Sequence, residues 1–194
     1  MSFENTLTFA NLSKAFSGES QARNRYDFYA SIAKEEGFQA IQKIFEATAE
    51  NEKQHAKVFF KHLAFYAPNS NVIHIDTDYP LNYKDTLSNL KSAANGEKEE
   101  WQVLYSNFAA TANSESYPDI SESFKHIAEV EKHHHFRYKN LADNLENGTL
   151  FQKTCETSWK CANCGYVHSS TSAPKTCPAC QHPQGYFIDL PQDY

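Results

Sequence analysis

The sequence has 194 residues, of which 40% are hydrophobic, and its formal net charge is −6. Because it has no cluster of Lys and Arg, nucleic acid and anionic membranes are disfavoured as partners, and no apolar run approaches the roughly 20 residues of a membrane span. Met1 to Ala10 has neither a basic nor an apolar stretch, so the sequence predicts no secretory signal and a cytoplasmic location. All five cysteines lie beyond Phe151, which in a reducing compartment indicates metal binding rather than disulfides.

Four long helices are predicted between residues 6 and 147. Apolar residues recur there at spacings of three and four, which is typical of helices rather than strands. The first predicted helix stops near Gly37, the second ends before Pro68, and the third begins near Tyr83. The fourth follows Pro118 and ends at Gly148. The chain is therefore expected to be mostly α.

The connection between the second and third predicted helices is much longer than the other two. It covers about residues 67–82 and contains a short β-like run from Val72 to Ile75. Such a segment is long enough to cross the length of a bundle, as ferritin-like folds require. Residues 1–150 are therefore expected to form a ferritin-like four-helix bundle with a long crossover.

The two halves of this region resemble each other. A displacement of 78 residues places Gly18-Glu19 on Gly96-Glu97. An internal repeat of a helix pair explains the similarity. A displacement of 79 residues gives a second set of matched positions: Ile41 with Ile120, Phe45 with Phe124, Ala49 with Ala128, Glu52 with Glu131, Lys53 with Lys132, and His55 with His134.

Charged residues interrupt the apolar face of every predicted helix. Residues three apart lie on one face of a helix, so each Glu-x-x-His pair, and the pair Glu97 and Glu100, should point inward together. A single such pair is common on a solvated face, but two pairs related by the repeat favour a shared site. The inward-facing set is Glu19, Glu52, His55, Glu97, Glu100, Glu131 and His134.

Buried carboxylates at this density predict a metal centre. Each costs several kcal/mol to bury, so the group must take up protons or share cations. An oxygen-rich site with one imidazole per metal suits iron or manganese, and a Glu from two helices with Glu-x-x-His from two others is a di-iron pattern. Glu100 is one carboxylate more than that pattern contains. The repeat favours His134 over His135, since the counterpart of His135 is Ala56, so His133 and His135 are expected at the surface or in supporting contacts.

The C-terminal segment predicts a second metal site. Cys161-x-x-Cys164 and Cys177-x-x-Cys180 are separated by twelve residues and can surround one tetrahedral metal. Zinc ribbons use the same ligands for a structural ion, whereas a single iron would be redox-active. So short a segment buries little core and should need its metal to fold, while Cys155 is expected to be a free thiol. The aromatic residues expected to shield the metal are Trp159, Tyr166, Tyr186 and Phe187.

Three motifs, in order along the chain, resemble those of rubrerythrin. They are the segment from Ala15 to Tyr26, the segment from Trp159 to His168, and Cys177-Pro178-Ala179-Cys180. The resemblance covers essentially the whole chain. It implies a rubredoxin-like domain over residues 151–194, three irons per chain with zinc as a possible substitute, and a peroxidase that reduces hydrogen peroxide in oxidative stress defence.

The same resemblance implies a task for each residue of the bundle site. Glu52 and Glu131 would bridge the two irons, Glu19 and Glu100 would be terminal on one iron, and Glu97 and His134 on the other. On reduction, His55 would replace Glu100. Tyr26 and Tyr105 match tyrosines that hydrogen-bond to ligating carboxylates.

The resemblance also implies partners, while two other functions stay open. Electrons would come from rubredoxin or an NAD(P)H-dependent reductase, and homodimers would place the four-cysteine iron of one chain near the di-iron site of the other. The alternatives are a ferritin-like ferroxidase that oxidises ferrous iron with O2, and a metal-stabilised scaffold with a zinc ribbon. Metal content separates the scaffold from the enzymes, and iron uptake with O2 separates the ferroxidase from the peroxidase.

Overall fold

The computed structural model describes residues 2–190, so the predicted domain ends at residues 1 and 194 lie outside it. Within the described part, no helix combines the length and apolar character needed to cross a bilayer. The helical elements are α1 (Leu7–Glu35), α2 (Gln39–Tyr66), α3 (Thr86–Glu99), a π segment (Glu100–Leu104), α4 (Tyr105–Ser114) and α5 (Pro118–Glu146).

The helices form the predicted bundle of two hairpins. α1 packs along α2, while α3 and α4 pack along α5. The third predicted helix corresponds to α3, the π segment and α4 taken together, so the mostly α, ferritin-like architecture is confirmed. α3 begins at Thr86 rather than near Tyr83, because the Asp85 side chain accepts a hydrogen bond from the Ser88 N–H at 2.8 Å and so caps the helix there.

The π segment accommodates one extra residue in the second hairpin. Glu19 and Tyr26 are seven residues apart on α1, whereas their repeat counterparts Glu97 and Tyr105 are eight apart. The Tyr105 N–H donates to the Glu100 carbonyl, five residues back, which is the hydrogen bond of a π turn. This wider turn absorbs the insertion, and Tyr105 therefore still faces the bundle interior, where it is buried.

The long crossover between α2 and α3 is confirmed, but the predicted β-like run is wrong. Residues 71–85 contain neither helix nor strand. Val72 is 80% exposed, and a strand there has no sheet neighbour in the described chain with which to pair. Instead, side chains hold the crossover to α1: the Tyr29 hydroxyl donates to the Asn82 carbonyl at 2.9 Å, and the Tyr79 hydroxyl to the Lys14 carbonyl at 3.3 Å.

The bundle has two apolar clusters with a layer of charge between them. One cluster contains Phe45 and Tyr138, and the other contains Phe59 and Phe124. The layer between them consists of Glu and His side chains that are buried or half-buried. Its fully buried carboxylates are Glu19, Glu52, Glu97 and Glu131.

The C-terminal segment forms a small antiparallel sheet of the order β2-β1-β3, with β1 (Gln152–Cys161), β2 (Val167–Ser172) and β3 (Phe187–Asp189). Trp159 and Phe187 are fully buried beside Cys161 and Cys177, and Tyr166 and Tyr186 pack against them, so the expected aromatic shield is confirmed.

The sheet also contacts the end of the bundle. Ile188 belongs to the bundle's apolar cluster, and the Lys43 ammonium donates to the Ala162 carbonyl. Gly185 is required at this contact, because an added Cβ would lie 1.8 Å from the Gly37 carbonyl oxygen.

Candidate metal centres

Six of the seven predicted bundle ligands come together in two overlapping groups. In each group, one nitrogen or oxygen atom from every residue lies within 4.8 Å of the others. Ligands about 2.0–2.2 Å from one ion are at most about 4.4 Å apart, so both groups are close to the dimensions of a metal site. One group is Glu19, Glu52, His55 and Glu131; the other is Glu52, Glu97, Glu131 and His134.

Glu52 and Glu131 belong to both groups, and each directs one oxygen to each histidine. From Glu131, Oε1 is 2.8 Å from His55 Nδ1 and Oε2 is 2.7 Å from His134 Nδ1. From Glu52, Oε2 is 2.9 Å from His55 Nδ1 and Oε1 is 3.3 Å from His134 Nδ1. These two carboxylates therefore span both groups, which is the arrangement that bridging ligands need.

Glu19 and Glu97 each belong to a single group and each accepts a hydrogen bond from a buried tyrosine. The Tyr105 hydroxyl donates to Glu19 Oε1 at 2.5 Å, and the Tyr26 hydroxyl donates to Glu97 Oε1. Each bond crosses between the two hairpins, and the repeat relates them. The tyrosines thus orient both carboxylates toward the histidines. Glu97 Oε2, which Tyr26 does not bind, lies 3.7 Å from His134 Nδ1, and Glu19 Oε1 lies 3.9 Å from His55 Nδ1.

The polar atoms of the site fit a metal better than they fit one another. Several buried atoms have no hydrogen-bond partner within residues 2–190, although nitrogen and oxygen atoms converge there at close range. Burying such atoms without partners costs free energy that a cation would offset. The atoms are Glu19 Oε2, Glu52 Oε1, Glu97 Oε2, both Glu131 carboxylate oxygens and His134 Nδ1.

The pKa values of the ligands also reflect crowded buried charge. Burial, reinforced by the Glu52 carboxylate, raises the pKa of Glu97 to about 8. Burial would also raise the pKa of Glu52, but contacts with His134 and His55 outweigh it and lower the value to about 2. For His55, contacts with Glu131 and Glu52 outweigh burial and raise the pKa to about 10. Without cations, the site must therefore hold protons on some of its ligands.

Glu100 is the predicted ligand that joins neither group among the described residues. It opens the π segment, is half buried, and borders a pocket between α1, the π segment and the crossover. Burial and the nearby Glu97 carboxylate raise the pKa of Glu100, and its role as a ligand stays a prediction. His55 is in the group that Glu100 was expected to complete, and this is the arrangement expected for the reduced site.

Among the described residues, His133 and His135 join neither ligand group, as the repeat indicates. His133 is exposed, while His135 is buried and its Nδ1 lies 2.7 Å from the Ala94 carbonyl oxygen. One neighbour of the site was missed in the sequence: Arg25, which is 8% exposed and packs over the Tyr26 ring. The available signal in the sequence was its position directly before Tyr26.

The four cysteines of the tail form a separate tetrahedral group. Cys161 Sγ lies 3.8 Å from Cys180 Sγ, and Cys164 Sγ lies 3.8 Å from Cys177 Sγ. Thiolates about 2.3 Å from one ion in a tetrahedron are about 3.8 Å apart, whereas a disulfide would bring them to about 2.05 Å. The backbone N–H of His182 lowers the pKa of Cys180 to about 6, which favours the thiolate. Cys155 is exposed and outside this group.

Comparison with known protein families gives two matches in chain order. The family model described as rubrerythrin matches residues 10–142, and the rubrerythrin rubredoxin-like domain matches residues 159–188. The chain belongs to the rubrerythrin family. Family membership, together with the two ligand groups, confirms the predicted cofactors of three irons per chain, two in the bundle and one between the cysteines.

Individual relatives agree with this family membership. Rubrerythrin-1 of Clostridium acetobutylicum is 48% identical, with 100% of this chain and 99% of the relative covered. Rubrerythrin of Porphyromonas gingivalis is 45% identical over 100% of this chain and 94% of its own. Among solved structures, nigerythrin in its fully reduced, all-ferrous state superposes with a TM-score of 0.64 at 27% identity, covering 94% of this chain and 86% of that one.

Proposed function

We propose that this chain is a peroxidase that reduces hydrogen peroxide to water with electrons relayed through its four-cysteine iron, in oxidative stress defence. The family supports an iron-based oxidoreductase. The observation that carries the finer proposal is the pairing, in one chain, of a carboxylate site whose two shared glutamates span both histidines with a separate four-thiolate site. A ferroxidase takes electrons from its ferrous substrate and has no need of the second site.

The bundle residues are proposed to act as ligands and orienting groups. Glu52 and Glu131 would be shared by the two irons, Glu19 and His55 would complete one position, and Glu97 and His134 would complete the other. Bound iron supplies the two electrons that peroxide reduction requires and Lewis acidity toward the peroxide oxygens. Tyr105 and Tyr26 hold Glu19 and Glu97 in place by their hydrogen bonds, and the surrounding apolar clusters exclude bulk water.

Glu100 and His55 are proposed to alternate as ligands. His55 Nδ1 contacts both shared glutamates, whereas Glu100 is half buried one turn beyond Glu97. Ferric iron is the harder ion and favours carboxylate, while ferrous iron accepts imidazole more readily. The wider π turn at Glu100 gives its side chain a position from which to enter and leave the site.

Several wider assignments belong to the same proposal. The domain boundary is placed at residues 150 and 151, the electron donor is a rubredoxin or an NAD(P)H-dependent reductase, and the cell compartment is the cytoplasm. The chain acts as a homodimer or higher homo-oligomer. The exposed location of Cys164 and the partial exposure of Cys180 support electron entry at that edge of the tail.

A two-part assay tests the proposed activity against its alternatives. Iron-loaded protein, supplied with reducing equivalents through a rubredoxin and its NADH-dependent reductase, is expected to consume H2O2 in a one-to-one ratio with NADH. With excess ferrous iron and O2 instead, little iron should be retained by the protein. Rapid ferric iron accumulation with negligible H2O2 consumption would favour the ferroxidase, and zinc in both sites would favour the scaffold.

A further inference from the structure

A pocket of about 240 Å³ borders the candidate di-iron site, and it lies between α1, the start of the π segment and the crossover. Glu100 and Tyr105 are part of its inner wall. The Tyr105 hydroxyl donates a 2.5 Å hydrogen bond to Glu19, one of the candidate ligands. The pocket therefore leads from the outside of the bundle toward the site.

Two glycines leave this pocket open. Gly18 on α1 and Gly96 on α3 both line it, and both are inside helices, where glycine costs about 1 kcal/mol relative to alanine. Close packing does not require either of them. A Cβ at Gly18 would lie 3.9 Å from Tyr79 Cε1, and one at Gly96 would lie 3.9 Å from Arg25 Nη2, which are ordinary contacts. Larger side chains at either position would instead fill the pocket.

The outer wall of the pocket is the ring of Tyr79 from the crossover. Tyr79 is 38% exposed, and its ring lies next to Gly18. Its hydroxyl donates a hydrogen bond of 3.3 Å to the Lys14 carbonyl, which is longer than the usual range of about 2.5–3.0 Å for such bonds. Residues 71–85 have no helix or strand, so no backbone ladder of the crossover fixes the ring in place.

The inner lining combines polar and charged side chains with the apolar side chains of Leu104 and Phe108. Arg25, Gln21 and Glu100 are found there, with Asp78 on the crossover side. A small solute that forms hydrogen bonds can replace water at these groups, whereas an apolar substituent would leave them without partners at a cost of about 1–3 kcal/mol each. These polar groups favour H2O2 over a hydroperoxide whose bulky apolar group would be placed against them.

We infer that this pocket is the path by which peroxide reaches the di-iron site, and that Tyr79 is a specificity-determining residue that restricts the path to small polar peroxides. The inference rests on the proposed function for its substrate. The accessibility of the pocket does not depend on turnover and can be measured independently.

The first test measures access with a thiol. Gly18→Cys in a Cys155→Ser background places a sulfur behind the Tyr79 ring, in protein whose tail cysteines are bound to metal. A methyl methanethiosulfonate should modify it readily and a biotinylated methanethiosulfonate slowly. Adding Tyr79→Ala should raise the rate with the bulky reagent by about tenfold or more, while Tyr79→Phe, which keeps the ring but loses the hydrogen bond to Lys14, should raise it much less. Equal rates with the bulky reagent for wild-type Tyr79, Tyr79→Ala and Tyr79→Phe would overturn the inference. If Gly18→Cys does not fold, Ala15→Cys, which lines the same pocket, replaces it.

The second test measures specificity. Tyr79→Ala should raise kcat/KM for cumene hydroperoxide relative to H2O2 by about tenfold, with an iron content near that of the wild type. Tyr79→Phe should keep the wild-type ratio. An unchanged ratio in Tyr79→Ala would refute the specificity assignment. If the wild type reduces no peroxide at all, the proposed function fails, and the thiol rates still decide whether Tyr79 closes the pocket.

Discussion

The Tyr105 hydroxyl donates a 2.5 Å hydrogen bond to Glu19 Oε1, and this bond joins the two hairpins through the charged layer of the bundle. Its repeat-related counterpart runs in the opposite direction, from Tyr26 to Glu97. Both tyrosines are fully buried. Each of these two carboxylates is therefore held by the hairpin that does not carry it, and the two hydrogen bonds join both halves of the repeat.

Removing one of these hydroxyls should weaken the site without unfolding the bundle. Tyr105→Phe leaves Glu19 Oε1 without its donor, and groups that orient metal ligands typically contribute about 10–100-fold in metal affinity or activity. We expect a loss in that range, measured by iron retention against a chelator and by H2O2 turnover. Tyr29→Phe is the matched control, because the Tyr29 hydroxyl bonds to the Asn82 carbonyl outside the site. Equal iron retention in both variants would contradict the orienting assignment.

His55→Ala tests the proposed ligand exchange. The variant should still bind iron in the oxidised state, where Glu100 is the expected ligand, but should stabilise the ferrous state poorly. We expect peroxide reduction to fall by about tenfold or more, with a lowered reduction potential of the bundle irons measured by redox titration. His126→Ala, which alters an imidazole 83% exposed at its side chain, is the control. A His55→Ala protein with full iron, an unchanged potential and wild-type peroxide turnover would remove the argument.

Gly185→Ala tests how the tail docks on the bundle. The added methyl would meet the Gly37 carbonyl oxygen at 1.8 Å, and a backbone atom cannot move aside cheaply. Overpacking of this kind costs about 1–3 kcal/mol, so the tail should separate from the bundle more readily and become more sensitive to limited proteolysis. Gly96→Ala should instead leave the tail resistant, since its Cβ has ordinary contact distances. Identical proteolysis of the two variants would mean that the contact is not maintained in solution.

Glu115 provides a pH-dependent contribution to stability far from the metals. Its carboxylate accepts hydrogen bonds from the Leu7 N–H, the Thr8 N–H and the Thr8 hydroxyl, at the N-terminus of α1. The Thr8 hydroxyl and these N–H groups lower the pKa of Glu115. Because the folded-state pKa lies below the unfolded value, the contribution is complete above the unfolded pKa and is lost as the pH falls through the folded pKa.

Glu115→Gln should therefore lower the melting temperature at pH 7, by an amount equivalent to about 1 kcal/mol, as other helix caps contribute. The difference from the wild type should shrink as the pH is lowered toward the folded-state pKa. Glu129→Gln, at an exposed position on α5, serves as the control for loss of a surface charge. A Glu115→Gln deficit that does not change with pH would show that the carboxylate charge is not its source.

Much of the bundle site was predictable because its signals are local. Glu52 with His55 and Glu131 with His134 are three residues apart on helices, and the repeat relates the two pairs. That spacing fixes which face each side chain shares, so the pairs converge once the helices pack. The four-cysteine site was equally local, since two short knuckles define its ligands.

The parts that sequence reasoning missed depend on irregular backbone. Glu100 was expected on an uninterrupted helix, but a π segment begins there, and among the described residues its carboxylate joins neither ligand group. The clue was present in the repeat, because Glu19 to Tyr26 is one residue shorter than Glu97 to Tyr105. The run from Val72 to Ile75 had strand composition, but strand formation requires a partner that the fold does not place there.

The most direct test of the central claim is an anaerobic stopped-flow experiment. Fully reduced protein with confirmed iron content is mixed with about two equivalents of H2O2 per chain, and the ferric colour of the four-cysteine site is followed. About two equivalents of H2O2 accept about four electrons, which is more than the three that three ferrous irons hold. The same experiment with O2 in place of H2O2 is the comparison. The proposal predicts rapid return of colour with H2O2 and slow return with O2. No return of colour, with iron present in the tail, would contradict the proposed electron relay.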